Sequence, residues 1–590
     1  MEKFEMEFAD NVKSIWIKAI ETADSFVSKS ELAELSECIP AVPAENVAGT
    51  FPMELFHMKR LAYSTSEGIV DKLVNVYASM NSIGSSVYTI IHGEKNGTVE
   101  FYIGCLSRNN GEASKLMLKS SFEGNFPGIE LEHKNGEQKN KLLDRFFPLD
   151  YQKQSIASVS VSADYRKEKA EENISYIQGI EKFIDTMKGQ EYTALFLAEP
   201  ISHFDCISKR LAYENIITEL SKFNKVTLNY SENNSVAVNK SLSEGTSESI
   251  AHSVNSSISS NTSVSIGKTK ASGSGNAFGF FGSNVNFSRN MARTKNSTSG
   301  EGQSSGISDS TTYGTSKNVS KGETNTSGSS AAITVNVENK TISNIISKLE
   351  YELKKLDNAD SFGLWDVAVY IVSGDANTPI IAANSIRSLV IGDESGKAES
   401  FINYWDNSAR SFSNGATGRV MQFLHYGMHP VFYKKTADAQ QDTYYFTPAV
   451  SVNGKALPSV MGLPMQSVPG VTVIESAEFG RNIVTDDHAH SGNRRIQLGE
   501  VIYMGKKDST LVNFFVNSLS LHTFICGAPG SGKSNTVYKL MYELCRLNSK
   551  PERDDGFGNV KFLVIEPAKG EYKYEFGKMP NINIFTTKTG

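Results

Sequence analysis

The chain has little cysteine, no excess of positive charge and no long apolar run. Its five cysteines, Cys38, Cys105, Cys206, Cys526 and Cys545, lie far apart and form neither a C-x-x-C pair nor a Cys/His cluster. That excludes a disulfide framework and a structural zinc site, and predicts reduced thiols in the cytoplasm. A formal net charge of -6 excludes a global attraction to nucleic acid or anionic membrane, so any polyanion has to be met by a local patch. No apolar stretch approaches the roughly 20 residues needed to cross a bilayer. The N-terminus, with Glu2, Lys3, Glu5, Glu7 and Asp10, lacks the basic and apolar regions of a secretory signal. The expectation is a chain with no integral membrane segment, which meets a membrane, if at all, as a peripheral partner at its inner face.

What is present exceeds one core: 590 residues correspond to about three or four domains. The fold class expected is α/β multidomain. Residues 1–150 read as an α+β domain, with a helix over 69–80, a hairpin turning at Asn96-Gly97 between strands 87–91 and 99–103, a helix over 113–121 and a strand at 129–131. Residues 151–395 read as a second α+β domain. Its strands fall at 156–161, 192–197, 225–230 and 365–372, and its helices at 170–187, 204–223, 342–356 and 378–389. Both domains are compatible with ferredoxin-like halves.

The second domain is interrupted at 231–332 by a tract of Ser, Thr, Asn and Gly. Such a composition has too little apolar surface to offset the entropy of ordering it, which makes disorder one reading. A second reading is a long hairpin, since the tract is nearly symmetric about the aromatic stretch Gly275-Asn276-Ala277-Phe278-Gly279-Phe280-Phe281-Gly282. A tip of that size could touch a membrane interface without crossing it. Residues 396–485 carry Gly and Pro punctuation and no motif, and read as an irregular connecting region. Residues 486–520 read as a small β leader, because 496–516 alternate apolar and polar with a break at Gly505-Lys506-Lys507-Asp508.

The chemistry is concentrated in 521–590. Gly527-Ala528-Pro529-Gly530-Ser531-Gly532-Lys533-Ser534 fits the phosphate-binding pattern G-x-x-x-x-G-K-[S/T]. It sits between an apolar run at 521–526, expected to be a buried strand, and a helical spacing over 535–544. Glycines let backbone amides curl around a phosphate, and the following helix adds its positive end. Gly527 to Asn535 are therefore the expected ATP-binding residues. Lys533 is expected on the β- and γ-phosphates, and the Ser534 hydroxyl on Mg²⁺. A second run, 561–566, ends in Glu566-Pro567-Ala568-Lys569-Gly570-Glu571-Tyr572. Glu566 reads either as an acid beside the nucleotide, acting on water or Mg²⁺, or as a turn cap paired with local groups.

His522-Thr523-Phe524-Ile525 leading into the phosphate loop, followed by Val564-Ile565-Glu566-Pro567-Ala568-Lys569-Gly570-Glu571-Tyr572, resembles the HerA–FtsK superfamily of ring translocases. That family usually has Asp where Glu566 stands. Phe479-Gly480-Arg481-Asn482 with Ile496-Gln497-Leu498-Gly499 is similar to the β-barrel leader of HerA-type ATPases, and the N-terminal region is vaguely similar to conjugative type IV secretion ATPases. The resemblance implies a RecA-like ATPase core and a homo-oligomer, a hexamer, that uses ATP and Mg²⁺. It also implies translocation of double-stranded DNA or a secreted polymer through a central channel, with a nuclease or secretion component as partner. The later Walker B acid and the trans arginine of the family are not found before Gly590. The expectation is that the 590 residues alone hydrolyse no ATP, and turnover abolished by Lys533→Ala would overturn it. An assembly protein forming a ring or sleeve under nucleotide control is the alternative. Lys506-Lys507 reads as a surface turn, and Asp486-Asp487-His488-Ala489-His490 as a polar loop rather than a metal site.

Overall fold

A computed structural model of the chain describes residues 20–43, 53–64, 68–107, 111–149, 154–160, 163, 179–229, 334–338, 340–357, 359–390, 400–406, 416–433, 445–476, 480, 494–549, 559–567 and 570–586. They fall into two compact units. One comprises Met1–Leu61 with Glu67–Ile474, and the other Ala62–Ser66 with Glu475–Gly590.

The strands of the first unit are, in chain order, β1 (Ile39–Pro40), β2 (Met53–Tyr63), β3 (Ser85–Gly93), β4 (Val99–Ser107), β5 (Glu130–Lys134), β6 (Ser155–Ser160) and β7 (Tyr192–Pro200). They continue with β8 (Lys225–Asn229), β9 (Thr334–Glu338), β10 (Leu364–Ser373), β11 (Phe401–Trp405), β12 (Phe432–Tyr433), β13 (Tyr445–Phe446), β14 (Val450–Asn453) and β15 (Thr472–Glu475). Ten of these form one sheet in the order β11-β6-β10-β7-β3-β4-β2-β15, with β14 also on β10 and β5 also on β2. From β11 across to β2 the neighbours run antiparallel. β3 pairs with β7 through Val87↔Ala198 and Ile91↔Ala194, so the segments 1–150 and 151–395 contribute to the same sheet.

Antiparallel sheets commonly leave one face in water and then read as alternating apolar and polar. Here β3 is buried along its whole length and β10 at every position but Asp366, which explains why 87–91 and 365–372 read as nearly continuous apolar runs. The helices are α1 (Ile69–Ser82), α2 (Gly111–Asn125), α3 (Gly136–Phe146), α4 (Ile180–Thr186), α5 (His203–Asn224), α6 (Lys340–Leu356), α7 (Ala359–Phe362), α8 (Thr378–Val390) and α9 (Ala416–His425). On one sheet face Tyr88, Leu195, Leu197 and Tyr370 meet Phe146 of α3, Met421 and Leu424 of α9, and Phe432. Helices α1, α2 and α8 pack on sheet strands through α1 against β3, α2 against β4, and α8 against β6 and β10.

The region 396–485, read as irregular, supplies β11, α9 and the short strands β12 to β15. Trp405 of β11 is fully buried and stacks on Phe432 at 5.5 Å. Elements of two to five residues are too short to establish a period, and their place is set by the neighbours they pair with. Of the expected helix over 170–187, Ile180–Thr186 is described, and the remainder before 179 lies outside the described residues.

Helices α5 and α6 form a pair, joined by Cys206, Tyr213, Ile216 and Leu220 on one side and Ile342, Ile345, Ile346 and Leu349 on the other. These spacings put one apolar stripe on each helix. The pair leads into β8 and β9, whose antiparallel register runs from Lys225↔Glu338 to Asn229↔Thr334. The intervening stretch, 230–333, thus begins and ends at adjacent positions of one ladder. Both readings of its interior, disorder and hairpin, lie outside the described residues.

A buried charge network joins this helix pair to the sheet. Lys355 Nζ donates to Glu352 Oε1 at 2.6 Å, and Lys29 Nζ lies 3.6 Å from Glu352 Oε2. Lys209 Nζ donates to Ser451 Oγ at 3.0 Å, and Ser451 Oγ donates to Asp366 Oδ1 of β10 at 2.9 Å. Burial alone would raise the Glu352 carboxyl, but the ammonium groups of Lys29, Lys355 and Lys209 outweigh it and bring it to about 2. Burial lowers the Lys29 ammonium to about 8, against the opposing pull of Glu352.

Candidate nucleotide site

The second unit begins with a hairpin of β16 (Arg495–Tyr503) and β17 (Lys506–Phe515), paired from Arg495↔Phe515 to Tyr503↔Lys506. The expected break at 505–508 is the two-residue turn Met504-Gly505 between them, and Lys506 and Lys507 open the second strand. Bulges interrupt the ladder between Gln497 and Gly499 and between Glu500 and Ile502. A short 3-10 segment, Val516–Leu521, carries the chain toward the loop.

Residues 521–526 and 561–566 do not form the strands expected of them. An extended segment becomes a strand only when another strand satisfies its backbone, and among the described residues none pairs with either. Several of their apolar side chains lie open: Phe524 is 88% exposed, Leu563 84% and Ile565 81%.

The phosphate loop itself is well formed. Gly530 and Gly532 have φ of 80° and 90°, left-handed values that a side chain would strain, and Gly532 is the N-cap of α10 (Lys533–Asn548). The helix starts two residues before the expected 535 and runs four beyond 544. Ser531 N donates to Ala528 O at 3.1 Å, which closes the turn. A Cβ on Gly527 would come within 2.4 Å of Ser531 Oγ, so a side chain there would force that hydroxyl to move. Lys533 Nζ folds back over the loop and donates to Gly527 O at 2.8 Å and Ala528 O at 2.9 Å. Lys533 and the exposed Ser534 occupy the first turn of a sixteen-residue helix whose free amides and dipole favour an anion.

Behind the loop, α10 is seated on a small core of Ile496, Val516 and Leu544. Phe514, Leu540, Leu547, Val560 and Phe562 pack around it. Asn548, in the last turn of α10, donates through Nδ2 to Val560 O at 2.8 Å and accepts from Val560 N at 3.0 Å through Oδ1. This two-way bond reproduces what a neighbouring strand would offer Val560.

Glu566 accepts the amides of Glu571 at 2.8 Å and Tyr572 at 3.2 Å. Its carboxylate thereby caps α11 (Glu571–Phe576), which follows Gly570. Of the two roles left open by the sequence, the bonds present are those of a cap. Lys569, its other expected partner, lies outside the described residues, as do Asp486 to His490. Helix α11 rests on α10: Tyr538 meets Tyr572 edge-on at 4.9 Å and Phe576 at 5.7 Å, and Tyr542 meets Phe576 at 4.8 Å. Sequence reading passed over these aromatics. The signal available was the i, i+4 pair Tyr538 and Tyr542, lying off the apolar stripe Val537, Leu540, Met541 and Leu544.

Residues 496–589 match the family described as Helicase HerA, central domain. This segment is similar to HerA-family ATPases. No curated protein matches the chain. The match covers the β16–β17 hairpin, the phosphate loop with α10, and the Glu566 motif with α11, the features whose geometry is described above. Among the described residues no group of three or more His, Cys, Asp or Glu is placed to hold a metal, and no helix is long and apolar enough to cross a membrane.

Proposed function

We propose that this protein is an ATP-dependent motor of the HerA type, working as a hexamer that moves double-stranded DNA through a central channel. The observation that carries the reading is the phosphate loop with left-handed Gly530 and Gly532 opening α10, inside a segment similar to the HerA central domain. The residues present fit a nucleotide with Mg²⁺: a loop of bare backbone, an ammonium poised over it, and a hydroxyl at the helix start. ATP bound with Mg²⁺ supplies the phosphoryl group whose hydrolysis drives a motor of this class.

In this reading the amides from Gly530 to Asn535 bind the phosphates. Lys533 exchanges the carbonyls of Gly527 and Ala528 for phosphate oxygens, and Ser534 turns its hydroxyl toward the metal. Glu566 stands in the second motif of a RecA-like core, where it orients a water or holds Mg²⁺ through one, once it leaves its capping bonds. A secreted polymer in place of DNA is the other cargo the same motor would serve.

Two measurements test this. Binding of a fluorescent non-hydrolysable ATP analogue with Mg²⁺ is expected for the natural protein and lost by at least about a hundredfold in Lys533→Ala, as removal of a charged phosphate contact implies. Electron microscopy with the analogue and a DNA duplex is expected to reveal a six-membered ring with the duplex in its channel. A nucleotide-bound particle that never retains DNA would overturn the DNA reading.

A further inference from the structure

Helices α10 and α11 are tied at two successive turns. Tyr538 O–H donates to Glu571 Oε2 at 3.3 Å, and Tyr542 O–H donates to Glu575 Oε1. The partners are 33 residues apart in both pairs, so the helices run side by side in the same direction and in register. Their N-terminal ends accordingly face the same way. One carries the phosphate loop and the other carries the Glu566 cap.

Tyr538 stands at the centre of this arrangement. It is one turn after Ser534 on the same helix face. Its ring touches Tyr572 and Phe576, and its hydroxyl holds Glu571, the residue whose amide Glu566 accepts. A helix is stiff over a single turn, so a displacement of Lys533 and Ser534 is carried directly to Tyr538. From there it reaches the two amides that hold the Glu566 carboxylate.

We propose that Tyr538 is a positioning residue that sets the place of Glu566 according to whether the phosphate loop holds nucleotide. The inference rests on the nucleotide reading above and adds to it the route by which loop and acid communicate. Tyr538 touches neither phosphate nor metal in this scheme and acts through α11. The Glu571 bond supplies direction, and the ring contacts with Tyr572 and Phe576 supply contact area.

The test is amide hydrogen exchange at Glu571 and Tyr572 in the whole chain, with and without Mg²⁺ and the analogue AMP-PNP, together with the Kd for AMP-PNP. In the natural protein AMP-PNP is expected to change exchange at these two amides by about tenfold, the scale of one well-made hydrogen bond gained or lost. Tyr538→Ala is expected to bind AMP-PNP within about threefold of the natural Kd while the nucleotide-dependent change disappears. Tyr538→Phe keeps the ring and is expected to retain part of it. Glu571→Gln, which still accepts the tyrosine hydroxyl, is expected to retain nearly all. A merely structural tyrosine would alter exchange equally with and without nucleotide. An unchanged nucleotide response in both Tyr538 variants overturns the proposal. Absence of AMP-PNP binding in the natural protein defeats the nucleotide reading itself and is recognised by the Kd alone.

Discussion

Lys355 and Glu352 are bonded at 2.6 Å one turn apart on α6, and each side chain is only 9% exposed. An ion pair so well hidden is costly to desolvate, and its worth depends on every member keeping a partner. Glu352 answers both Lys355 and Lys29, and the neighbouring Lys209 answers Asp366 and Ser451. The network therefore fastens the helix pair that carries 230–333 to the central strand β10.

Removing the shared acid leaves buried ammonium groups without a counter-charge. Glu352→Gln is expected to lower the stability of the first unit by about 3–5 kcal/mol, the usual cost of breaking a buried pair from one side. Urea unfolding followed by tryptophan fluorescence measures it, because Trp365 and Trp405 both lie in this core.

The same carboxylate sets an acid limit. Its folded value of about 2 lies below the ordinary 4.5, so between these values the unfolded chain binds more protons than the folded one. The contribution of Glu352 is therefore complete above about pH 4.5 and is lost as pH falls toward about 2. The urea midpoint is expected to fall on acidification through this window, with a shallower fall in Glu352→Gln.

His429 is buried between a carbonyl and a hydroxyl. Its Nε2 faces Asp366 O at 3.1 Å and must donate there, which leaves Nδ1 to accept from Tyr370 O–H at 2.7 Å. Tyr370→Phe leaves that nitrogen unsatisfied and is expected to cost about 1–3 kcal/mol. Thermal unfolding of the variant against the natural protein checks it.

Gly532 can be probed without a steric clash, since nothing lies within 4 Å of a Cβ built there. At φ 90° the effect of Gly532→Ala is backbone strain of about 1–2 kcal/mol in the loop. Weaker AMP-PNP binding, by about tenfold, is the expected outcome in a direct titration.

Asn548 stands in for a strand neighbour of Val560. Asn548→Ala removes both bonds and is expected to cost about 1–2 kcal/mol in the second unit. Limited proteolysis is expected to cut near 559–566 several-fold faster in the variant.

The phosphate loop was legible because its chemistry is local. Glycine spacing, lysine and serine act within eight consecutive residues, and the left-handed angles at Gly530 and Gly532 follow from needing no side chain. The hairpin at Asn96-Gly97 and the stripes of α5 and α6 were legible for the same reason: turn chemistry and helical period are short-range properties. The short elements of 396–485 were not, because pairs such as Ile39↔Tyr433 and Val159↔Ile402 join residues hundreds of positions apart.

The sequence by itself determined where the glycines and lysine of a phosphate loop stand and where the long periodic helices run, among them 203–224 and 340–356. Only the tertiary structure decided that segments 1–150 and 151–395 contribute strands to one sheet, with β3 of the first paired to β7 of the second, since register depends on which strands meet. It also decided that 561–566 meets no strand among the described residues and that the Glu566 carboxylate holds the amides of Glu571 and Tyr572. An extended run of apolar residues states a preference for burial, but whether it is met depends on neighbours elsewhere in the chain.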